Sequence, residues 1–213
     1  MKQLKNNFIF QAWLVLLLAL CFGSSLAGVN LVLSPIIEAN KINETMQKIP
    51  ELVLGADAAV KLAKDGKSLD INSQIVSLEK NNKKKFYKVF QAVNEEKILG
   101  WVVKSSGQGY ADKIELLIGF NPTMEEITGL FVLEQKETPG LGNKIMYYGF
   151  RKQFISKKTD QPLFPTKITT SAPNAIDAIT GATISSRCVC SIINDVAADL
   201  RSVLSKKTFK EKI

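Results

Sequence analysis

Hydrophobic and polar residues are unevenly distributed along the 213-residue chain. Residues 8–33 carry no charge and are mostly apolar, and the run exceeds the roughly 20 residues that a helix needs to cross a bilayer. Lys2 and Lys5 precede it, and no acidic residue does. Because positive residues favour the cytoplasmic side of a membrane, the pattern predicts a cytoplasmic segment 1–7, a single-pass transmembrane helix 8–33 in the inner (cytoplasmic) membrane, and an extracytoplasmic remainder.

Two other interpretations of the apolar run remain open. Residues 25–27, Ser-Leu-Ala, resemble the small-residue site of a cleaved signal peptide. A lipidation site at Cys21 is the second interpretation, although the bulky Leu20 precedes that cysteine. The apolar run continues past both sites to Leu33, which favours an uncleaved anchor.

The exported part begins with a polar segment that has an apolar stripe at roughly helical spacing. This stripe predicts a juxtamembrane helix over residues 34–50, closed by Pro50. We expect one domain over residues 51–213. Its basic turn, Lys80-Asn-Asn-Lys-Lys-Lys85, is typical of a solvated hairpin tip, and contact with lipid head groups is the alternative.

Residues 86–135 have the pattern of β structure. Runs rich in β-branched and aromatic residues alternate with short polar turns. They predict four strands, at residues 86–93, 98–105, 113–120 and 127–134. Short links between successive strands favour an antiparallel meander.

The C-terminal part reads as loops and helices. We expect a loop over residues 136–143, a helix over about 144–154 and a second loop over 160–174. Apolar residues at 3.6-residue spacing predict a last helix over about 184–205. The predicted fold class is therefore α+β, with a curved antiparallel sheet and flanking helices.

The composition excludes several chemistries. The chain has no histidine and only three cysteines, which excludes a Ser–His–Asp hydrolase, a histidine-ligated metal site and a four-cysteine cluster. Cys188 and Cys190 point about 200° apart on a helix, so we expect no disulfide between them. The net charge is +8, but the lysines are scattered, and we expect no binding to nucleic acid.

The most distinctive motif is Asp-Ala-Ile-Thr-Gly-Ala-Thr at residues 177–183. Gly181 and Ala182 allow another molecule to approach the backbone closely. Hydroxyl groups stand at the start of the predicted helix, on Thr183, Ser185 and Ser186. Because the first amides of a helix attract anions, the segment is suited to a phosphate. The simpler alternative is a helix cap and turn formed by Asp177, Thr180 and Thr183.

A second motif, Glu-Thr-Pro-Gly-Leu-Gly, occupies residues 137–142. Its proline and two glycines predict a tight loop with exposed amides. Such a loop can lie against a planar ligand, with Leu141 as its apolar face. A plain connection between a strand and a helix is the alternative.

The apolar N-terminal run and the two motifs, in this order, resemble the FMN-binding subunits of bacterial redox-driven ion pumps. That family includes the G subunit of the Rnf complex, a ferredoxin:NAD+ oxidoreductase, and the C subunit of the sodium-pumping NADH:quinone oxidoreductase. The short chain favours the Rnf subunit. The alternatives are the quinone-reductase subunit, a stand-alone exported flavin electron shuttle and, from a different class, a non-catalytic exported interaction module.

The resemblance implies a membrane-anchored electron-transfer subunit that carries covalent FMN and performs no complete reaction by itself. The whole translocase would couple electron flow between ferredoxin and NAD+ to Na+ or H+ transport. Other subunits of the complex, the lipid bilayer and a flavin transferase are the implied partners. Because the chain has no histidine to act as a base, attachment by a separate transferase is consistent with its composition.

The resemblance also implies roles for individual residues, with the redox chemistry supplied by FMN and not by side chains. FMN would be linked by a phosphoester to Thr183. The transferase would recognise five matching positions, Asp177, Thr180, Gly181, Ala182 and Thr183. The second motif would border the isoalloxazine ring through Glu137, Thr138, Gly140, Leu141 and Gly142. Ser185 and Ser186 would donate hydrogen bonds to the phosphate.

Overall fold

The computed structural model describes residues 8–66, 68–80, 83–95, 97–168, 170 and 172–204. Contact density divides the chain into two compact units, Met1–Glu44 and Thr45–Ile213. The predicted cytoplasmic segment 1–7 lies outside the described residues, as does the tip of the predicted basic turn at residues 81–82.

The first unit consists of an apolar helix. Helix α1 spans Phe8–Leu54, and its last turns belong to the second unit. Within Ala12–Leu54 its most apolar window has a mean hydropathy of 2.1. Of the residues that the structure describes, only α1 forms a helix long and apolar enough to cross a membrane. The predicted transmembrane segment 8–33 therefore lies inside a helix of suitable length and composition.

The prediction that Pro50 closes the juxtamembrane helix was wrong. α1 continues for another turn, in which Leu52 and Val53 are buried. It ends where the Gly55 amide donates to the Glu51 carbonyl over 2.9 Å and Gly55 adopts a φ of +83°. Burial of the last turn outweighs the single backbone hydrogen bond that a proline removes.

A five-stranded antiparallel sheet forms the centre of the second unit. After the short helix α2, Ala56–Lys64, the strands are β1 Asp70–Lys80, β2 Lys83–Asn94, β3 Lys97–Gln108, β4 Lys113–Phe120 and β5 Ile127–Glu134. They lie in sequence order, which confirms the meander. β1 was not predicted, because its exposed positions include Ile75 and its alternation of polar and apolar residues is weak.

The two faces of the sheet are covered by different helices. Helix α4, Thr183–Leu204, packs on one face, where Trp101 and Val103 are buried. The end of α1 packs on the other face, where Val102 is buried. The central strands are thus apolar on both sides, and the fold is α+β with flanking helices, as predicted.

Glycines allow the end of α1 to approach the sheet closely. A Cβ on Gly129 would lie 2.9 Å from Leu52 Cδ2 and 3.0 Å from the Leu52 carbonyl oxygen. The Thr128 hydroxyl donates to that same carbonyl over 2.6 Å. Gly129 therefore leaves the space that lets the Leu52 carbonyl, near the end of α1, accept a hydrogen bond from Thr128 on β5.

The predicted helix over 144–154 is broken into three short pieces. They are a 3₁₀ helix Gly142–Met146, helix α3 Tyr148–Arg151 and a 3₁₀ helix Lys152–Phe154. Tyr147 interrupts the series with extended backbone. The buried side chains Ile145, Phe150 and Phe154 hold each piece against the core, and their spacing does not fit one continuous helix.

The segment before α4 contains two short strands. β6, Phe164–Thr166, pairs in parallel with β7, Ala175–Asp177, so the predicted loop 160–174 is not entirely irregular. The last helix begins at Thr183, one residue before its predicted start, and is described to Leu204.

Candidate functional site

A tight turn brings the chain into the start of α4. The Ala182 amide donates to the Ile179 carbonyl over 2.9 Å, with Thr180 and Gly181 as the central residues. Gly181 has a φ of +80°, the value that a type II turn requires at its third position and that glycine adopts without strain. The turn thus explains why glycine stands two residues before Thr183.

Ser186 holds this turn from inside the protein. Its buried Oγ accepts a hydrogen bond from the Ile179 amide over 3.1 Å and donates to the Ala182 carbonyl over 3.0 Å. The hydroxyl proton is therefore used within the chain. These contacts give Ser186 a positioning role for the turn in place of the predicted contact with a phosphate.

Gln153 holds the strand that leads into the turn. The Asp177 amide donates to Gln153 Oε1 over 2.8 Å, and Gln153 Nε2 donates to the Asp177 carbonyl over 3.4 Å. A side-chain amide thus pairs with β7 in the manner of a neighbouring strand. Sequence reasoning missed Gln153, because no local pattern connects it with residues so far along the chain.

Among the described residues, no acceptor is found for the first backbone amides of α4. Ala182 precedes the helix and Thr183 is its first residue, so the capping position holds a methyl group that accepts no hydrogen bond. The amides of Thr183, Ile184 and Ser185 have no acceptor inside the helix. This arrangement weighs against the simpler interpretation of the motif as a helix cap.

The second motif forms a turn of the same kind. The Thr138 carbonyl accepts the Leu141 amide over 3.2 Å and the Asn143 amide over 3.4 Å. Pro139 and Gly140 are the central residues, and Gly140 has a φ of +77°. Proline followed by glycine is the sequence that a type II turn prefers.

The two turns contact one another. A Cβ on Gly181 would lie 2.9 Å from Leu141 Cδ2. Below this contact, the Ser185 hydroxyl donates to Glu137 Oε2, and the Ala111 amide donates to Glu137 Oε1 over 3.1 Å. Motifs that are about 40 residues apart in the sequence therefore meet at one place.

Ser185 does not offer its hydroxyl proton for the predicted hydrogen bond to a phosphate. The hydroxyl donates to the Glu137 carboxylate instead, and the side chain is buried. The Glu137 amide in turn donates to Gln135 Oε1 over 2.6 Å. Ser185 and Glu137 thus connect the two motifs.

A cleft of about 570 Å³ lies between the two turns and the start of α4. The predicted residues that line it are Glu137, Thr138, Leu141, Gly142, Gly181, Ala182, Thr183 and Ser185. Four other predicted residues do not line it, namely Asp177, Thr180, Gly140 and Ser186. Thr183 is partly exposed in the cleft, whereas Asp177 and Thr180 lie outside it.

Three further residues line the cleft and were missed from the sequence. They are Tyr110, Lys167 and Ile184. Tyr110 and Ile184 are large exposed side chains, one aromatic and one aliphatic, and Lys167 is an exposed cation. Ile184 could have been found from the sequence, because it follows Thr183 directly. Tyr110 and Lys167 are distant in the sequence and reach the site only through the folding of the chain.

The lining suits a ligand with a planar ring and a phosphate. The volume lies within the range of roughly 300 to 1,000 Å³ that small-molecule sites occupy. Leu141 and Ile184 offer apolar surface at one side, and the free amides of α4 with Lys167 suit an anion. The Thr183 hydroxyl lies beside those amides.

The two cysteines of α4 are buried thiols whose pKa values are raised. Cys188 and Cys190 are buried and free in this structure. Burial and the charge of Glu137 raise the pKa of Cys188 to about 11. Burial raises the pKa of Cys190 to about 12.

A known protein family matches the part of the chain that contains the cleft. Residues 109–198, which contain both turns, the cleft and most of α4, match the FMN-binding domain family. The matched segment contains both motifs from which the sequence predicts an FMN-binding site.

Two relatives are components of ion-translocating complexes. The G subunit of the ion-translocating oxidoreductase complex of Methanosarcina acetivorans is 39% identical over 92 residues, which are 43% of this chain and 46% of that protein. The G subunit of the Na(+)-translocating ferredoxin:NAD(+) oxidoreductase complex of Acetobacterium woodii is 29% identical over 200 residues, which are 90% of this chain and 91% of that protein. The chain thus spans about half the length of the first relative and nearly all of the second.

Two solved structures share the fold. NqrC of Shewanella oneidensis has a TM-score of 0.57 and 19% identity, over 75% of this chain and 93% of that one. The C subunit of the Na(+)-translocating NADH-quinone reductase of Parabacteroides distasonis has a TM-score of 0.60 and 20% identity, over 83% of this chain and 98% of that one. At these identities the likeness concerns the fold.

Proposed function

We propose that the chain is a membrane-anchored electron-transfer subunit of an Rnf-type complex, with FMN linked to Thr183 through a phosphoester. The complex couples electron flow between ferredoxin and NAD+ to transport of Na+ or H+, and this subunit performs no complete reaction by itself. The meeting of the two motif turns across one cleft, with Thr183 at the first position of α4, is the observation that carries the proposal.

The phosphate has a ready environment beside Thr183. The first amides of α4, which have no acceptor inside the helix, and the Lys167 ammonium favour an anion in the cleft. Ser185 donates its proton to Glu137, so the amides are the main donors to the phosphate. When bound, FMN supplies the electron transfer, and the chain orients the cofactor and sets its electrostatic surroundings.

The ring lies against the apolar part of the cleft. Leu141 is 42% exposed and Ile184 is 51% exposed, and both line the cleft. Tyr110 adds an aromatic side chain at the rim. An isoalloxazine ring bound in the cleft would cover these three side chains and remove their exposed surface from water.

In this proposal, Asp177 and Thr180 are recognised by the flavin transferase that attaches FMN. Neither is buried and neither lines the cleft, so they are accessible to a flavin transferase while Thr183 faces the cofactor. A threonine hydroxyl is a weak nucleophile without a base. The absence of histidine from the chain supports catalysis of the attachment by a separate enzyme.

The anchor supports a location at the cytoplasmic membrane, with the FMN domain outside the cytoplasm. α1 has the length and hydropathy of a spanning helix, and Lys2 and Lys5 favour a cytoplasmic N-terminus. A covalent bond retains the cofactor where no cytoplasmic pool replaces a lost molecule. The names of the relatives support neighbouring subunits as the partners.

Replacement of Thr183 tests the attachment. The protein, co-expressed with a flavin transferase and separated on a denaturing gel, shows a flavin-fluorescent band under ultraviolet light. Thr183→Ala removes the acceptor oxygen and abolishes the band, whereas Thr183→Ser keeps a hydroxyl and retains it. Circular dichroism checks that both variants fold. A fluorescent Thr183→Ala band contradicts the proposed linkage.

Identification of the neighbouring subunits tests the assignment to an Rnf-type complex. We expect mild solubilisation, purification through this chain and mass spectrometry to recover the other subunits of a ferredoxin:NAD+ oxidoreductase. Recovery of quinone-reductase subunits instead assigns the chain to that pump. A wild-type protein that is dark on the gel and correctly processed favours the interaction module.

A further inference from the structure

Glu137 places a negative charge at the cleft. Its side chain lines the cleft and the residue is only 4% exposed. Both carboxylate oxygens accept hydrogen bonds, Oε1 from the Ala111 amide over 3.1 Å and Oε2 from the Ser185 hydroxyl. Two donated hydrogen bonds match an ionised carboxylate, which is an acceptor at both oxygens.

The hydrogen-bond partners of Glu137 are dipoles and carry no formal charge. In the part of the chain that the structure describes, they are a backbone amide and a hydroxyl. The nearest lysine in the sequence, Lys136, pairs with Asp112 over 3.2 Å. The field of the carboxylate also acts beyond its hydrogen bonds, since it contributes to the raised pKa of Cys188.

The fold makes space for this carboxylate. A Cβ on Gly142 would lie 2.7 Å from Glu137 Oε2 and 2.8 Å from Ser185 Oγ. A Cβ on Gly109 would overlap Glu137 Oε1. Glycines on both sides therefore leave a niche that only a bare backbone provides, and the carboxylate fills it.

Lys167 places the opposite charge in the same cleft. Its side chain is exposed and lines the cleft with Glu137. A charge in a buried, less polarisable environment acts more strongly than one screened by water. Glu137 therefore has the stronger influence on a cofactor in the cleft, and Lys167 acts against it.

We propose that Glu137 lowers the reduction potential of the flavin in this cleft and that Lys167 raises it. The inference rests on the proposed function, since it requires FMN in the cleft. Reduction adds electrons to the ring, and a fixed negative charge nearby opposes them. A nearby ammonium favours them. The charges of the two residues thus tune the electron-transfer step in opposite directions.

The Glu137→Gln substitution isolates the charge. Its Oε1 still accepts the Ala111 amide, and its Nε2 donates to Ser185 Oγ, which accepts as well as donates. The full-length protein with bound FMN is titrated in a spectroelectrochemical cell. We expect the midpoint potential of Glu137→Gln to rise above that of the wild type. Glu125→Gln makes the same chemical change at a carboxylate that is 57% exposed outside the cleft and leaves the potential unchanged.

The Lys167→Gln substitution tests the same proposal with a shift in midpoint potential of opposite sign. We expect its midpoint potential to fall, by less than the rise in Glu137→Gln, because Lys167 is exposed. If the substitutions merely disturb the site, the midpoint potentials of both variants shift in the same direction, toward that of free FMN. That result overturns the proposal. An unchanged potential in flavin-loaded Glu137→Gln also overturns it.

The two proposals fail in different ways. A wild-type protein without covalent flavin contradicts the proposed function. A flavin-loaded wild type whose variants do not shift in opposite directions contradicts only the tuning by charge. Should Glu137→Gln not accumulate, the exposed Lys167→Gln decides the matter, since a fall supports the proposal and an unchanged or raised potential overturns it.

Discussion

Gly140 and Gly181 occupy the same position in two turns of the same type. Both have positive φ, +77° and +80°, and each follows a residue, Pro139 or Thr180, that stands second in its turn. The difference lies in what a side chain would meet. Gly140 has open space around it, whereas a Cβ on Gly181 meets Leu141.

This difference predicts separate effects of two alanine substitutions. Gly140→Ala and Gly181→Ala each strain the backbone by about 1–2 kcal/mol. Because the end of the Leu141 side chain is movable, Gly181→Ala adds little further instability but displaces Leu141 in the cleft. We therefore expect similar losses in thermal stability, with a larger loss of attached flavin in Gly181→Ala. Equal flavin content in the two variants contradicts the role assigned to Leu141.

The charge of Glu115 on β4 makes a further residue-scale prediction. Burial raises the pKa of this carboxyl, but the hydrogen bond from Lys113 and the charge of Lys104 outweigh burial and hold the pKa below its usual range. The carboxylate therefore stabilises the fold fully above the unfolded pKa of about 4.3. That contribution is lost as the pH falls through the lower, folded-state value.

We expect Glu115→Gln to destabilise the protein by about 1 kcal/mol near neutral pH. The difference from the wild type shrinks as the pH falls through the lowered pKa of the folded state, where the wild-type carboxyl is also protonated. Thermal unfolding in detergent at several pH values measures it. A difference that stays constant from neutral to acid pH contradicts the assigned ion pairs.

At the scale of elements, the end of α1 depends on a close approach to β5. Gly129→Ala places a methyl group against Leu52. The new Cβ would lie 2.9 Å from the Cδ2 atom of Leu52 and 3.0 Å from its backbone atoms. Overpacking of this kind costs about 1–3 kcal/mol. Gly149→Ala is the matched control, because nothing lies within 4 Å of its Cβ position. Equal melting temperatures for the two variants rule out the tight contact.

The elements that the sequence predicted are those with a strong local pattern. Strands β2–β5 and α4 have runs of β-branched residues or a clear 3.6-residue period, and all were predicted. β1 was missed because apolar Ile75 is exposed on it. The end of α1 and the broken region 142–154 depend on burial against the core. Burial carries α1 past Pro50 and holds the chain in short pieces on either side of Tyr147, and no local sequence pattern predicts either outcome.

The site was predictable to the same extent. The glycines and the proline of both turns could be found because backbone geometry restricts those residue types. Ser185 and Ser186 were found as hydroxyls, but their tertiary partners, Glu137 and the turn at Ile179, changed what they do. Gln153 and Lys167 reach the site only through the folding of the chain.

At the scale of the whole molecule, the orientation in the membrane is open to a direct test. We expect protease added to intact spheroplasts to digest the domain that follows α1, because Lys2 and Lys5 before the apolar run favour the proposed cytoplasmic N-terminus. An N-terminal epitope tag stays protected until the membrane is opened. Protection of the domain in intact spheroplasts reverses the proposed orientation.

The covalent bond to Thr183 is the central claim, and peptide mass spectrometry tests it most directly. Trypsin cuts after Lys167 and Arg187, so residues 168–187 form one peptide that contains Thr183 and several other hydroxyl residues. We predict that the peptide from the wild-type protein carries the mass of FMN less one water, and that fragmentation assigns it to Thr183. An unmodified peptide from transferase-treated protein, or a modification assigned to any other hydroxyl, contradicts the claim.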